Sequence, residues 1–477
     1  MNASAASLEL GALTLAVVIL AVDLTFPSKS FDRGRGGLFV LASAGILGLL
    51  AWSFFLPAPQ NLTEAFVLDG FALFTKRILL GAVLLAVIGL YPYARRRGVA
   101  DRSGEALVLL LFATVGGMAL TSAREFLTLF VAFELLSLPL YVLVALEKER
   151  KTAPEGAIKI FLLGSVSSAV MLLGIGFLFA ATGTTFWMHV TRWPADPLVP
   201  LGAALLLVGF GFKIAIFPFS LWVPDTYQAA PTPVLAFLSV APKAAAVVCL
   251  FRLVFEVFQP AGVPVTSWLA ILAGLTMTIG NLLALRQHDL KRLLAFSGIA
   301  QIGYVLLALA AGTRLAAGLA LFYFVAYLVA NGGAFLVLTA IEVSGEEPTL
   351  LGVRRMIRRS PVLAAAMLVF LLSLAGIPFA LGFWGKMYVF LAAANAGLIG
   401  LVFLGALLAV VALFYYLTVA RQMFMAAEDG PAIEVGIPLL AAILACAIVA
   451  GAGGLVPQWF ADPALKAADS ITIPSSH

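Results

Sequence analysis

The sequence predicts an all-α polytopic membrane protein. Of its 477 residues, 62% are hydrophobic and only 11% are charged, whereas a soluble domain is about half apolar and about a quarter charged. The apolar residues come in runs of roughly 20, which is the length that a helix needs to span a bilayer. Strands of a membrane barrel would instead alternate apolar and polar residues. We therefore predict a bundle of membrane helices.

A sliding hydropathy window predicts about fourteen spans. They cover residues 9–26, 37–57, 71–92, 105–121, 125–146, 157–181, 199–217, 232–257, 265–285, 293–311, 316–342, 362–382, 386–424 and 436–455. Spans seven and twelve are broken by "IFPFSLW" and "GIPFALGFWGK", because proline removes a backbone donor from a helix. The thirteenth is too long for one crossing, so we expect its first residues to belong to the broken twelfth.

Lysine and arginine are distributed unequally between the loops. After odd-numbered spans there are eighteen: Lys29, Arg33, Arg35, Arg95, Arg96, Arg97, Arg102, Lys148, Arg150, Lys151, Arg286, Lys291, Arg292, Arg354, Arg355, Arg358, Arg359 and Arg421. After even-numbered spans there are three: Arg124, Arg192 and Arg314. Cytoplasmic loops are enriched in these residues. The odd loops are therefore predicted to be cytoplasmic and both termini to lie outside.

Short similarities between segments of the chain predict an internal repeat. "YVLVAL" from Tyr141 in span five resembles "YVLLAL" from Tyr304 in span ten, and Pro-Phe pairs interrupt spans seven and twelve. Units of five spans are inverted relative to each other, a plan common in transporters with broken helices. We predict two inverted five-helix repeats, spans 4–8 and 9–13. The predicted domains are an N-terminal three-helix segment (1–104), the first repeat (105–257), the second repeat (258–424), and a C-terminal helix with a short tail (425–477).

Composition argues against a redox centre in this chain. The two cysteines, Cys249 and Cys446, lie inside apolar runs, and the histidines His189, His288 and His477 are scattered. Neither set has the spacing of a disulfide framework or a metal cluster. The sequence contains no GxGxxG, P-loop or CxxC motif. We expect no cofactor and no metal in the chain.

Among the charged residues within the predicted spans or beside their breaks, five are candidates: Glu134, Lys159, Lys213, Lys243 and Lys386. A charge at the centre of a spanning helix costs about 2.5–3.5 kcal/mol on insertion scales, so such residues are candidates for function. Poor solvation disfavours the charged form of lysine, and a nearby carboxylate favours it. A lysine–carboxylate pair can therefore bind and release a proton, and Glu134 with Lys213 is a candidate pair.

Structural explanations compete with function at several of these positions. Lys159 is close to a loop and could extend to the interface, and Glu134 could be a structural ion-pair partner. Lys213 and Lys386 adjoin helix breaks, where freed backbone groups and water can solvate a charge. Lys243 is about eleven residues into its span and cannot easily reach an interface.

Two long motifs carry a resemblance to a known family. "FKIAIFPFSLWVPDTYQAAPTPVLAFLSVAPKAAA" and "QHDLKRLLAFSGIAQIGYVLLAL" resemble the antiporter-like membrane subunits of respiratory complex I, the proton-translocating NADH:quinone oxidoreductase. The "DTYQAAPTPV" version is most similar to the subunit N branch, which is homologous to mitochondrial NADH dehydrogenase subunit 2. The resemblance covers nearly the whole chain. It implies fourteen helices with two inverted five-helix units.

The resemblance also implies roles for individual residues. Glu134 falls on the glutamate of helix five, and Lys213 on the lysine of helix seven that pairs with it. Lys243 falls on the central relay lysine of helix eight, and Lys386 on the lysine of helix twelve in the exit half. Lys159 falls on a further lysine of subunit N. All five are expected to serve proton transfer, Lys159 in a secondary role.

Ser220 departs from the family pattern. The family commonly has "PFHxW" after the break, whereas this chain reads "PFSLW". A hydroxyl can hydrogen-bond or hold water, but it does not change charge near neutral pH. We expect water held by Ser220 to replace a relay step through histidine.

The resemblance implies a non-redox subunit of a translocase in the bacterial inner membrane. NADH, FMN, the iron–sulfur clusters and quinone would be bound by partner subunits. The expected neighbours are antiporter-like subunit M, the small membrane subunits and lipid, with no nucleic acid. Two alternatives remain open: a subunit of a related multi-subunit cation/proton antiporter, and a passive structural spacer.

Overall fold

The computed structural model describes residues 3–25, 36–150, 152–189, 195–425 and 432–471. Its helices are α1 (Ser7–Thr25), α2 (Gly36–Trp52), α3 (Gly70–Arg97), α4 (Ser103–Ser122), α5 (Phe126–Val144), α6 (Thr152–Thr182), α7 (Leu198–Ile214), α8 (Val223–Ala229), α9 (Thr232–Leu238), α10 (Ala241–Leu253), α11 (Val265–Ala284), α12 (Leu290–Ala311), α13 (Arg314–Tyr327), α14 (Gly333–Val343), α15 (Met356–Arg359), α16 (Pro361–Ala375), α17 (Leu381–Asn395), α18 (Ile399–Phe424), α19 (Ile437–Ala452) and α20 (Gln458–Ala468). Short 3-10 and π turns adjoin some of them.

The prediction of an all-α membrane protein is confirmed. In the described residues, eleven helical runs are long and apolar enough to cross a membrane, and three shorter apolar helices are α2, α7 and α16. Each of the fourteen predicted spans overlaps one of these runs. A small antiparallel hairpin, β1 (Gln60–Thr63) and β2 (Phe66–Leu68), and the helix α20 were not predicted. The number of crossings and the inverted repeat stay predictions.

Both predicted breaks are present. Helix α7 ends at Ile214, Ala215 takes a left-handed conformation with φ 66°, and α8 starts only at Val223. Helix α16 ends before Gly376, whose φ is 84°, and α17 follows. Residues 386–395 therefore belong to the second half of the broken helix, as expected. Further interruptions lie between α9 and α10 and in the π turns Val254–Phe258 and Leu328–Gly332.

Polar side chains fix where several helices start. Asp69 and Asp289 each accept a backbone N–H from the first turn of α3 and α12. Thr313 does the same for α13. These residues satisfy donors that have no partner inside the helix, and such a cap is typically worth about 1 kcal/mol. These caps fix the residue at which each helix begins, and therefore where the preceding loop ends.

Alternate loops meet at opposite ends of the molecule. At the hairpin end, Phe66 of β2 pairs with Ala123, and Glu125 pairs with Phe186. At the other end, Arg102 Nη1 donates to Leu146 O at 2.8 Å. Asp289 and Thr349 also form a bridge there. We call the segments 98–102, 145–150, 285–289 and 344–360 the basic end, since odd-numbered loops collect there.

The centre of the bundle is formed by α9, α10 and α12. Every residue of α9 and α10 is buried, and so is the most apolar stretch of α12. In contrast, α6 and α18 expose large apolar side chains such as Phe161 and Phe414. Polar groups on the central helices are therefore remote from the surface of this chain, and three candidate lysines lie on or against these helices.

Candidate functional site

Lys213 and Glu134 do not contact each other directly. Lys213 Nζ donates a hydrogen bond to Ser137 Oγ of α5 and lies 4.5 Å from the ring centroid of Phe133. Glu134, which is half-buried, accepts a hydrogen bond from Ser168 Oγ of α6. The ion pair implied by the sequence is therefore not formed. Ser137, one turn beyond Glu134, occupies the position expected for the carboxylate.

The break after α7 is stabilised without the Lys213 ammonium. Trp222 Nε1 donates to Phe212 O at 3.1 Å, and Ile216 N donates to Gly211 O at 2.8 Å. Carbonyl groups in the last turn of a helix lack partners within the helix, and these two donors satisfy part of that need. Among the described residues, the hydrogen bond of Lys213 goes to Ser137 and not to a carbonyl of the break, and solvation of Lys213 at the break stays a prediction.

The break after α16, in contrast, holds Lys386 directly. Lys386 Nζ donates to Leu374 O at 2.8 Å and to Ala375 O at 3.0 Å. These carbonyls belong to the last turn of α16, where intrahelical donors run out. Gly376 then turns the chain away in a left-handed conformation. The interrupted helix therefore supplies the acceptors that make a buried ammonium tolerable.

Lys243 lies in the centre of the bundle with 1% of its surface exposed. Its Nζ donates to Gly298 O of α12 at 3.2 Å. A Cβ atom on Gly298 would lie 3.1 Å from that Nζ and 2.8 Å from the hydroxyl of Tyr327. The ammonium, the phenol and the glycine backbone therefore converge at one point.

Polar groups connect Lys243 towards Lys386. A cavity of about 10 Å³ is lined by Tyr327, Gln301, Tyr323 and Lys386, among others, and this volume is about what one water molecule requires. Tyr323 Oη donates to Gln301 Oε1, and Gln301 Nε2 donates to Leu374 O at 2.9 Å. Leu374 O is also an acceptor of Lys386. Polar side chains and a backbone carbonyl therefore lie between Lys243 and Lys386.

No comparable path joins Lys213 to Lys243 among the described residues. The hydrogen bond of Lys213 leads to Ser137, whose hydroxyl donates back to Phe133 O. The hydrogen bond of Lys243 leads to α12 instead. The site therefore has two parts: Lys213 near the α5–α6 face, and Lys243 with Lys386 in the interior.

Lys159 and Ser220 lie apart from the three buried lysines. Lys159 Nζ pairs with Glu155 at 2.6 Å and with Asp225 at 2.8 Å, and its side chain is 40% exposed. Asp225 also pairs with Arg292 at 2.6 Å. Ser220 is buried and lines a cavity of about 180 Å³ that reaches Asp225 and Arg292. Lys159 thus ties α6 to α8 in a surface ion-pair network, which favours the structural explanation for it.

Several residues of the site were not found from the sequence. Gln301 interrupts the apolar run of α12, so its polar amide could have marked it as a site residue from the sequence alone. The sequence offered no such indication for Ser137, Tyr323 and Tyr327, because serine and tyrosine are common in membrane helices without any polar role. Their importance follows only from which side chains face them.

Comparisons with known proteins agree with this architecture. A family model described as "NADH:quinone oxidoreductase/Mrp antiporter, TM" matches residues 123–412, which is more than half of the chain. NADH-quinone oxidoreductase subunit N of Heliobacterium modesticaldum is 36% identical over 481 residues, covering 99% of this chain and 100% of the relative. The chain belongs to the NADH-quinone oxidoreductase subunit N family. The resemblance noted in the sequence is thereby confirmed.

Solved structures share the fold of this family. A chain of respiratory complex I from Thermus thermophilus is 34% identical with a TM-score of 0.82, covering 95% of this chain and 98% of its own length. A chain of an archaeal membrane-bound sulfane sulfur reductase has a TM-score of 0.88 at 23% identity, over 98% and 97% of the two chains. A chain of the Mrp complex from Dietzia sp. DQ12-45-1b has a TM-score of 0.82 at 21% identity, over 100% and 98%. The last two likenesses concern the fold alone.

Proposed function

We propose that this chain is a proton-translocating membrane subunit of NADH-quinone oxidoreductase. Membership of the subunit N family supports the assignment of this chain to the NADH-quinone oxidoreductase complex. The observation that carries proton transfer is the burial of Lys243 and Lys386, 1% and 5% exposed, against neutral backbone acceptors. A lysine without a carboxylate partner can release its proton without leaving an unpaired buried anion behind.

In this proposal, protons move through the interior towards Lys386 and are released on the outer side. Lys243 passes its proton by way of Tyr327, Gln301 and water to Lys386. Lys213 and Glu134 form a second charged unit, in which Ser137 and Ser168 hold the two charged groups apart. A shift of α5 against α7 would alter the electrostatic influence of Glu134 on Lys213. Redox chemistry, with NADH, FMN, iron–sulfur clusters and quinone, belongs to partner subunits, and subunit M with the small membrane subunits adjoins this chain.

The test is proton pumping by the assembled enzyme. A positioned proton-transfer group typically contributes about 10²–10⁴-fold to a rate, so Lys243→Ala and Lys386→Ala should reduce proton flux through this subunit to background, whereas Lys213→Ala should lower it. NADH-driven proton uptake is measured in liposomes that contain the purified complex, with subunit content checked for each variant. The matched control is Lys148→Ala, at an exposed position of the basic end. Undiminished pumping by an assembled Lys386→Ala enzyme would refute the proposed role.

A cation/proton antiporter subunit is the second candidate, because the matching family model names Mrp antiporters as well. Gentle purification separates the two candidates: flavin and iron–sulfur subunits that copurify with this chain indicate the oxidoreductase. If the chain were a passive spacer, joint replacement of Glu134, Lys213, Lys243 and Lys386 by neutral residues would leave pumping unchanged.

A further inference from the structure

A large polar cavity opens at the basic end. Its volume is about 670 Å³, and its lining includes Arg97, Arg102, Glu147, Asp289, Glu342 and Glu347. We call this cavity the vestibule. Glu347 is exposed at the surface, whereas Glu342, near the end of α14, is 1% exposed. The vestibule therefore reaches from the surface to a buried carboxylate.

Glu342 is only partly satisfied by its neighbours. Thr232 Oγ1 donates a hydrogen bond to Glu342 Oε2. Lys291 Nζ and Arg97 Nη2 both lie 3.6 Å from Oε1, which is too far for a hydrogen bond. Oε1 is buried and has no hydrogen-bond partner among the residues that the structure describes. A buried carboxylate oxygen without a donor is costly, by about 1–3 kcal/mol or more, so this atom is suited to binding a proton or a water from the vestibule.

Helix α12 contacts both Glu342 and Lys243. Lys291 and Gly298 are seven residues apart on this helix, which is two turns on the same face and about 10 Å along the axis. Lys291 Nζ donates to Ala230 O at 2.8 Å, and Gly298 O accepts from Lys243. The group that faces Glu342 and the acceptor of the central lysine therefore lie along one side of one helix.

Further polar groups line the way inward. Ser239, one turn before Lys243, accepts a hydrogen bond from Asn331 Nδ2 at 2.7 Å. Within the described part of the chain, Asn331 Oδ1 and the hydroxyl of Tyr227 are buried without hydrogen-bond partners. The ring of Tyr227 packs 6.0 Å from that of Phe335 on α14. Buried polar atoms of this kind are normally paired, often with water. Ser239 and Asn331 thus place polar atoms one turn from Lys243, and Tyr227 places another against α14, the helix that carries Glu342.

We propose that Glu342 takes up protons from the vestibule and delivers them to Lys243 without passage through Lys213. This inference rests on the proposed function. The Glu342 carboxylate binds a proton from vestibule water and becomes a neutral acid. Its proton then moves along hydrogen-bonded groups or water to the neutral amine of Lys243, which becomes an ammonium, and the carboxylate is restored. Arg97 and Lys291 position the carboxylate.

Other titratable and charged groups surround Glu342. Those on α3 are Tyr93 and Arg97, and α12 contributes Lys291. From the neighbouring loop come Glu147, which accepts a hydrogen bond from Tyr93, and Arg150, which lies 3.8 Å from Glu147. The loop before α12 contributes Asp289 to the lining. A pH profile of proton uptake will contain contributions from these groups, so assignment requires variants at Glu342 itself.

The experiment compares four variants of the complete complex in liposomes: Glu342→Gln, Glu342→Asp, Glu105→Gln and Lys243→Ala. NADH-driven proton uptake is measured as a function of pH on the vestibule side. Glu342→Gln should lose as much uptake as Lys243→Ala. Glu342→Asp keeps a titratable carboxyl and should retain uptake with a displaced pH profile. Glu105→Gln, at an exposed position in the first turn of α4 and outside the vestibule lining, should match the parent enzyme.

The outcomes separate this inference from the proposed function. Full uptake by Glu342→Gln, with Lys243→Ala impaired, overturns the inference and leaves the proposed function standing. A rate lowered equally at every pH, with an unchanged profile, makes Glu342 a structural ion-pair partner and also overturns it. Full uptake by Lys243→Ala refutes the proposed function and the inference with it. If Glu342→Gln fails to assemble, Thr232→Val replaces it, since this change keeps both ion pairs, and an unaltered profile then overturns the inference.

Discussion

Within the described part of the chain, each of the lysines Lys213, Lys243 and Lys386 is held by a neutral oxygen. Lys213 uses a serine hydroxyl, Lys243 one backbone carbonyl, and Lys386 two carbonyls of a helix end. The acceptors of the first two are 76 and 55 residues away in the sequence. Local hydropathy predicts that these lysines are buried and that their charges are costly in free energy. Which groups accept their hydrogen bonds depends on how the helices pack.

At the residue scale, Gly298→Ala tests the convergence around Lys243. The added Cβ would be 3.1 Å from Lys243 Nζ and 2.8 Å from the Tyr327 hydroxyl, so one of these groups must move. Overpacking of this kind typically costs about 1–3 kcal/mol, and we expect proton pumping to fall towards that of Lys243→Ala. Pumping and thermal unfolding of the purified complex are the measurements.

The control for that change is Gly176→Ala in α6, where an added Cβ meets nothing within 4 Å. It should leave both pumping and stability unchanged. If Gly298→Ala behaves like Gly176→Ala, the close approach of lysine, tyrosine and glycine has no consequence for transfer.

Buried ion pairs join the ends of helices at the hairpin end. Arg252, beside the π turn after α10, is fully buried and donates through Nη2 to Asp69 Oδ1 at 2.6 Å and through Nε to Thr121 O at 2.9 Å. Asp69 also caps α3. A second buried pair links Lys76 of α3 to Glu9 of α1 at 2.6 Å. These pairs fix α1, α3, α4 and α10 relative to one another.

At the element scale, Arg252→Met should destabilise the bundle strongly. Removing one partner of a buried pair typically costs about 3–5 kcal/mol, because the remaining charge is uncompensated. We expect a lower unfolding temperature in detergent and reduced assembly. Arg314→Met, at an exposed position of the same end, should be nearly neutral. Similar stability of the two variants would contradict the linking role of the Arg252–Asp69 pair.

At the scale of the whole molecule, loops of opposite parity lie at opposite ends, as an up-and-down bundle requires. The basic end collects the arginines in the last turn of α3 and the charged segment 344–360, whereas Arg124 and Arg314 adjoin the hairpin end. Cytoplasmic enrichment of lysine and arginine therefore leads us to propose that the basic end and its vestibule face the cytoplasm. Both termini would then lie outside.

Cysteine labelling tests this orientation. Lys148→Cys lies at the basic end and Arg314→Cys at the opposite end, and both positions are exposed. The native Cys249 and Cys446 are 0% and 5% exposed, so they should react little. A membrane-impermeant maleimide should label Arg314→Cys in intact cells and Lys148→Cys in inside-out vesicles. The reverse pattern would invert the orientation and place the vestibule outside.

The sequence by itself determined the membrane class, the positions of the spans, both broken helices and the burial of Lys213, Lys243 and Lys386. These features depend on local quantities: apolar run length, the cost of a charge in an apolar segment, and the missing donor of proline. Sequence reasoning overlooked Lys76 and Arg252 as interior charges, although both lie inside predicted spans and the same signal applied to them.

Only the tertiary structure decided which groups meet. It separated Glu134 from Lys213 by placing Ser137 at the ammonium, and it moved Lys159 into a surface network with Asp225. It also brought Glu342 beneath the vestibule and Gln301 between Lys243 and Lys386. The physical reason is that hydrogen bonds and ion pairs act over about 3 to 4 Å, while the groups that form them come from helices far apart in the chain.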